Sequence, residues 1–321
     1  MGAVLRLQAI VPKDRTEQVC TVLAGNPGAT HIAVFSGAAR DPAGDVVTAD
    51  IARESANEIL AALRSLRLDR DGSLTLEHID ISLSKAAEDA ERRAPGAPDD
   101  AVVWADLDQR TADAADLTWS FIAFLTLATL LAGIAALLDS PILIVGAMVL
   151  GPEFGAVAAI AFGLVFWKPG RVAGALRTLA VGFAVAIAIT YVCALLGRWT
   201  GVIELAELPD ARPLTGFVYE PDRWSFIVAV LAGAAGVLAL TADKSSSLVG
   251  VFISVTTVPA AGNIAVAVAL RHWSEVAGSA VQLLVNLVGM VIAGVATMVV
   301  QRAAWGFAQR RTKMRPKDGT G

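Results

Sequence analysis

Charge is scarce in this sequence. Asp, Glu, Lys and Arg make up 17% of 321 residues, against 55% hydrophobic ones, which is less charge than an ordinary water-soluble domain carries. Cysteine is nearly absent: Cys20 and Cys193 stand far apart, which excludes a disulfide framework and a cysteine metal cluster. The three histidines, His31, His78 and His272, are scattered and show no metal-ligand spacing, so neither a metal nor a cofactor is expected. No basic stripe with interleaved aromatics is present and the net charge is −4, so nucleic acid is not an expected partner. There is no Ser-His-Asp set and no phosphate-binding glycine loop, and no enzyme is expected. Met1 to Arg6 has no basic segment leading into a long apolar run, so no secretory signal is expected and the soluble part belongs in the cytoplasm.

The charge that exists is unevenly placed. Residues 1–116 carry many ionisable groups, and residues 117–301 carry few, gathered at the ends of apolar runs. Two compositions in one chain imply two solvents, water first and lipid second. In the soluble part, Val4 to Val11 alternates as a strand closed by Pro12, and Asp14 to Leu23 reads as a helix. Thr30 to Ser36 and Asp45 to Ile51 read as strands around the turn Asp41-Pro42-Ala43-Gly44. Ser55 to Leu66 reads as a helix, Asp69 to Gly72 as a turn, and Leu74 to Leu83 as a last strand. The order β-α-β-β-α-β predicts a ferredoxin-like α+β domain over residues 1–85. Residues 86–117 read as a linker and an amphipathic helix whose acidic face is solvated. Residues 302–321 form a basic cytoplasmic tail.

Between them lies an α-helical polytopic membrane domain, residues 118–301. A bilayer core takes about 20 apolar residues per helix. Six runs meet this: Trp119 to Leu138, Pro141 to Trp167, Val172 to Leu196, Trp224 to Thr241, Ser246 to Leu270 and Val276 to Val300. Trp119, Trp167, Trp199, Trp224, Trp273 and Trp305 fall near their ends, where indole rings settle at the membrane interface. Lys168, Arg171 and the tail set both termini inside a bacterial cytoplasmic membrane, with residues 198–223 outside.

The domain also repeats itself. Asp139 precedes Gly146 as Asp243 precedes Gly250, each pair opening a run that later meets a proline, Pro152 or Pro259. Residues 118–197 and 224–301 therefore read as two three-helix units, the second inverted, with interrupted helices. That is the construction of many secondary transporters. The breaks supply the candidate site residues. Gly151, Pro152, Glu153 and Gly155 stand at the first; Thr256, Thr257, Pro259 and Asn263 stand at the second. Gln282 and Asn286 on the last span, with Asp139 and Asp243 at the head of each repeated run, complete the set. A carboxylate such as Glu153 inside an apolar run must face protein, water or an ion.

The stretch from Asp139-Ser140-Pro141 through Gly146-Ala147-Met148 to Gly151-Pro152 resembles the signature of the bacterial domain-of-unknown-function 389 family, the uncharacterised hydrophobic domain membrane proteins. Val249-Gly250-Val251, Val258-Pro259 and Asn286 are similar to its second conserved region. The sequence departs from the family pattern where Pro259 is followed by Ala260, and at Glu153, where a small or apolar residue is the rule. The resemblance implies an architecture and no activity. Together with the repeat it makes a transporter or channel for a small solute or ion the leading expectation. The alternative is a membrane-anchored sensor or scaffold using the ferredoxin-like domain for ligand binding or oligomerisation. Lipid is an expected partner, and Gly- and Ala-rich spans suit a homo-oligomer, dimer or trimer.

Overall fold

The structure is a computed structural model, and it describes residues 4–79, 84–94, 101–203, 212–242 and 256–313. It divides into two compact units, residues 1–107 with 301–321 and residues 108–300.

The first unit is built on four strands: β1 (Val4–Val11), β2 (Ala29–Arg40), β3 (Ala43–Ala52) and β4 (Ser73–His78). They lie in the order β2-β3-β1-β4 with every neighbouring pair antiparallel. Helices α1 (Thr16–Ala24) and α2 (Ala56–Ser65) make the two crossovers, so the order of elements is the β-α-β-β-α-β one read from the sequence. Alternation along β1 turns Leu5, Leu7, Ala9 and Val11 inward, against Val19 and Leu23 of α1 and Ile59 and Leu63 of α2. Burying each large aliphatic side chain there contributes about 1.5–3 kcal/mol.

Some boundaries differ from expectation. The hairpin β2–β3 runs closer to its turn than the alternation shows, leaving only Asp41-Pro42 between the strands. The expected turn at Asp69 to Gly72 is mostly a single helical turn, α3 (Leu68–Asp71). The strand expected to reach Leu83 ends at His78, and residues 80–83 lie outside the described ones. The unit also extends past residue 85. Ser84 caps α4 (Lys85–Arg93), and Val103 joins the core. The Asn57 amide fastens that return: its Nδ2 donates to the Val102 carbonyl at 2.7 Å and its Oδ1 accepts from the Trp104 N–H at 3.1 Å.

The second unit is helical. Helix α5 (Trp104–Ala115) crosses into it and is followed by α6 (Trp119–Leu137), α7 (Pro141–Leu150), α8 (Glu153–Val165), α9 (Pro169–Trp199), α10 (Arg223–Thr241), α11 (Thr257–Leu270) and α12 (Trp273–Lys313). Four of these, α6, α9, α10 and α12 from Trp273 to Gly306, are long and apolar enough to cross a membrane. The pair α7–α8, bent by 54°, makes a fifth if it counts as one span. Helix α11 is apolar but shorter, and residues 243–255, which open the expected fifth run, lie outside the described residues. Apolar side chains cover the outer faces: Leu127, Ile142, Leu176, Val192, Leu231 and Leu284 are all exposed, as a lipid-facing surface requires. The indoles of Trp119, Trp167, Trp199, Trp224 and Trp273 stand exposed at helix ends.

Helix starts follow from local chemistry. Thr118, Ser140 and Asp222 cap α6, α7 and α10 with side-chain oxygens, and Pro141 and Pro169 stand in the first turns of α7 and α9, where a missing N–H is no loss. Helix α11 packs against α6, α7 and α9. Gly262 permits this closeness: a Cβ there would stand 2.6 Å from the Ala132 Cβ and 2.8 Å from the Thr129 carbonyl oxygen. In the same way Phe154 of α8 fills the space left by Gly236 of α10. The acidic helix α5 is not wholly solvated. Asp108 pairs with Lys168 at 2.5 Å and with Arg171 at 2.7 Å. Burial works to raise its pKa, but the two cations outweigh it and hold the carboxyl below its usual value.

Candidate functional site

Both breaks are helix starts. Pro152 is the cap residue of α8, at the 54° bend between α7 and α8, and Pro259 lies in the first turn of α11, whose preceding residues 243–255 lie outside the described ones. Glu153, the first residue of α8, is buried, and the Thr257 hydroxyl at the head of α11 donates to its Oε1. The two breaks therefore meet at a carboxylate and a hydroxyl. Gly151 makes room for this contact: a Cβ there would run into the Glu153 carboxylate and stand 2.8 Å from Val258 Cγ2. The other oxygen of Glu153 is buried with no hydrogen-bond partner among the described residues.

Thr256, next in sequence, turns to a second group. Its Oγ1 accepts from Gln282 Nε2 at 2.8 Å and from Asn286 Nδ2 at 2.9 Å. These two amides stand one helical turn apart on α12, roughly 14 Å and 20 Å along it from Trp273. Thr256, Gln282 and Asn286 line one wall of a pocket of about 330 Å³, whose other walls include Ile144, Met148, Phe217, Asp222 and Trp224.

The remaining expected residues lie elsewhere. Gly155 packs toward α5, where a Cβ would be 3.0 Å from that of Ala114. Asn263 is buried nearly two turns into α11 in a separate cluster. Its Oδ1 accepts from Arg212 Nη1 at 2.8 Å, and its Nδ2 donates to Ser279 at 2.9 Å and to Glu275 at 3.3 Å. Arg212, fully buried, forms an ion pair with Glu275 and lies 4.3 Å from the centre of the Tyr219 ring. Glu153 is thus not the sole buried acid of this unit. Asp139 lies in the left-handed region with φ 45° and accepts from the Thr215 hydroxyl at 2.7 Å and the Leu214 N–H at 3.4 Å. Its role is to anchor the segment before α10. Asp243 falls outside the described residues.

Sequence reasoning missed Arg212, Glu275 and the pocket residues Phe217, Asp222 and Trp224. One signal was available: an arginine in a stretch that returns to an apolar helix needs an acid, and Glu275 opens the last span. No group of three or more His, Cys, Asp or Glu fit to hold a metal occurs among the described residues.

The family model described as Domain of unknown function (DUF389) matches residues 148–292, which take in both proline breaks, Gln282 and Asn286. No curated protein and no solved structure matches the chain.

Proposed function

We propose that this chain, a member of the DUF389 family through residues 148–292, moves a small solute or ion across a membrane at a site where its two helix breaks meet. The observation that carries this reading is the hydrogen bond from Thr257 to the buried carboxylate of Glu153. An acid at such depth is kept where it faces a bundle interior or a cavity and marks a solute or ion path. The pocket lined by Thr256 begins one residue away.

The same contact supports an inverted repeat. Glu153 and Thr257 are 104 residues apart, which is also the offset between Asp139 and Asp243 (243 − 139) and between Gly146 and Gly250 (250 − 146). Residues equivalent in two inverted units touch only where the pseudo-two-fold axis passes between them. The packing agrees: α11 lies against α6, and Phe154 of α8 lies against Gly236 of α10, so the helix after each break leans on the opening helix of the other unit. Substrate sites of transporters built this way lie at that axis, near the bilayer midplane. In this reading the ends with Lys168 and Arg171 and the basic tail are cytoplasmic, and the ends with Asp139 and Asp222 face outward. A homo-oligomer belongs to the same proposal.

The test is flux. The full chain is reconstituted in liposomes and challenged on a solid-supported membrane with a panel of small ions, amines, acids and neutral solutes. Current or uptake is expected from the wild type and a loss of tenfold or more from Glu153→Gln eluting as the wild type does. Normal flux in that variant removes Glu153 from the site. Absence of flux for the whole panel favours the sensor or scaffold instead.

A further inference from the structure

The chemistry of the pocket narrows what it takes. A hydroxyl oxygen has two lone pairs, and at Thr256 both are used by the N–H groups of Gln282 and Asn286. Both amides therefore turn a donor to the same hydroxyl. Gln282 Oε1 is buried and has no partner among the described residues. A buried acceptor left this way costs about 1–3 kcal/mol, and native proteins seldom keep one without a role. The other walls are aliphatic at Ile144, Val145, Met148 and Val228 and aromatic at Phe217 and Trp224. Among the described lining residues Asp222 is the one charged group and none is cationic. Asp222 accepts from the N–H and the hydroxyl of Ser225, both at 2.8 Å, and these bonds, the N–H first, hold its carboxyl below the usual range and ionised.

Orphan carbonyl, anionic wall and aromatic faces all attract positive charge and N–H donors. No cation stands among the described lining residues to hold an anion. A bare Ca2+ or Mg2+ is disfavoured, because each takes six or more oxygens and most of this wall is hydrocarbon. We infer that the pocket takes a primary ammonium group on a small apolar body, Gln282 turning its buried Oε1 out to accept from the ammonium and the body lying on Ile144, Val145 and Met148. This deepens the transport reading and rests on it for the pocket's purpose. The ammonium belongs either to a free small amine or to an aminophospholipid headgroup.

The experiment uses the full chain in phosphatidylcholine nanodiscs and calorimetric titration with three isosteres: isobutylammonium, isobutanol and isobutyrate. Isobutylammonium is expected to bind at least tenfold more tightly than the other two. Gln282→Leu should weaken it about tenfold. Asp222→Asn, which keeps the helix cap, should weaken it about threefold and decides the matter if Gln282→Leu does not fold. Nanodiscs containing phosphatidylethanolamine separate the sources: competition assigns the site to the headgroup, unchanged binding assigns it to a free amine. Equal binding of the three isosteres, or no binding of isobutylammonium, overturns the inference. Flux without ammonium binding would overturn this inference alone, whereas ammonium binding without flux would overturn the transport reading alone.

Discussion

Glu275→Gln removes the negative charge that faces the buried guanidinium of Arg212 while keeping shape and a carbonyl acceptor. Taking one partner from a buried ion pair costs about 3–5 kcal/mol, because the other charge is left without compensation. Here part of that loss is offset. Asn263 Oδ1 still accepts from Arg212 Nη1, and the Tyr219 ring 4.3 Å away contributes about 0.5–2 kcal/mol of cation–π attraction. The net expectation is a loss of about 2–4 kcal/mol. Arg212→Met alone leaves Glu275 as the stranded charge and should cost a similar amount. The double variant strands neither and should lie within about 1 kcal/mol of the wild type, a coupling well above the noise of such cycles. The assay is equilibrium unfolding of the purified protein in mixed micelles with increasing dodecyl sulfate, read by tryptophan fluorescence. Additive single losses, or a Glu275→Gln within about 0.5 kcal/mol of the wild type, would refute the reasoning, since a pair reached by water behaves that way.

Two other perturbations follow from packing and burial. Gly262→Ala forces a methyl group against Ala132 and the Thr129 carbonyl and should cost about 1–3 kcal/mol. Gly170→Ala, where a Cβ meets nothing within 4 Å, should be silent in the same unfolding assay. In the first unit Glu54 is buried with neither carboxylate oxygen bonded to another described residue, and burial raises its pKa. A folded pKa above the unfolded value means the unfolded state binds fewer protons. Stability from this group is therefore full below the unfolded value and falls as pH rises toward the folded one. Hydrogen exchange of β1 and β3 in the full chain should show more protection at pH 5 than at pH 8, and Glu54→Gln should flatten that difference while stabilising the unit by about 1–3 kcal/mol at pH 8.

How much of this was legible in the sequence depended on the range of the interaction. Strand alternation in β1 and the crossovers α1 and α2 are local patterns, and they appear where periodicity puts them, while of the six expected apolar runs four appear as helices long enough to span and one as the bent pair α7–α8. The carboxylate in Gly151-Pro152-Glu153 and the threonines at the second break could be picked out because each conflicts with its apolar surroundings. What could not be read was partnership. Asn263 looked equivalent to Gln282 and Asn286, yet it sits on the face of α11 toward Arg212 while Thr256 turns to the amides. Nothing in the sequence states that azimuth. The cost of the proline breaks was also not legible. Pro152 does stand at an interruption, the 54° bend between α7 and α8, but proline at the start of a helix removes no bond, so the backbone there loses less than a mid-helix break would.

These differences bear on which part of the second unit moves. Residues 212–219 form part of the pocket wall through Phe217. The segment is held at two points, by Arg212 on Glu275 and by Thr215 on Asp139, and lifting it breaks a buried ion pair at about 3 kcal/mol or more. Separating the breaks sacrifices one hydrogen bond between Thr257 and Glu153 and a glycine contact, about 0.5–1.5 kcal/mol for the bond. The cheaper motion is at the breaks, and access to the pocket should change there while the segment stays fixed. A cross-link tests the order. Cysteines at Thr215 and Asp139, once joined by a short bifunctional reagent, should leave flux within about twofold of the uncross-linked variant. Cysteines at Gly151 and Val258, joined the same way, should abolish flux, and a reducible linker should restore it on reduction. If the first cross-link stops flux and the second does not, the segment is the moving gate and the energetic ordering is wrong.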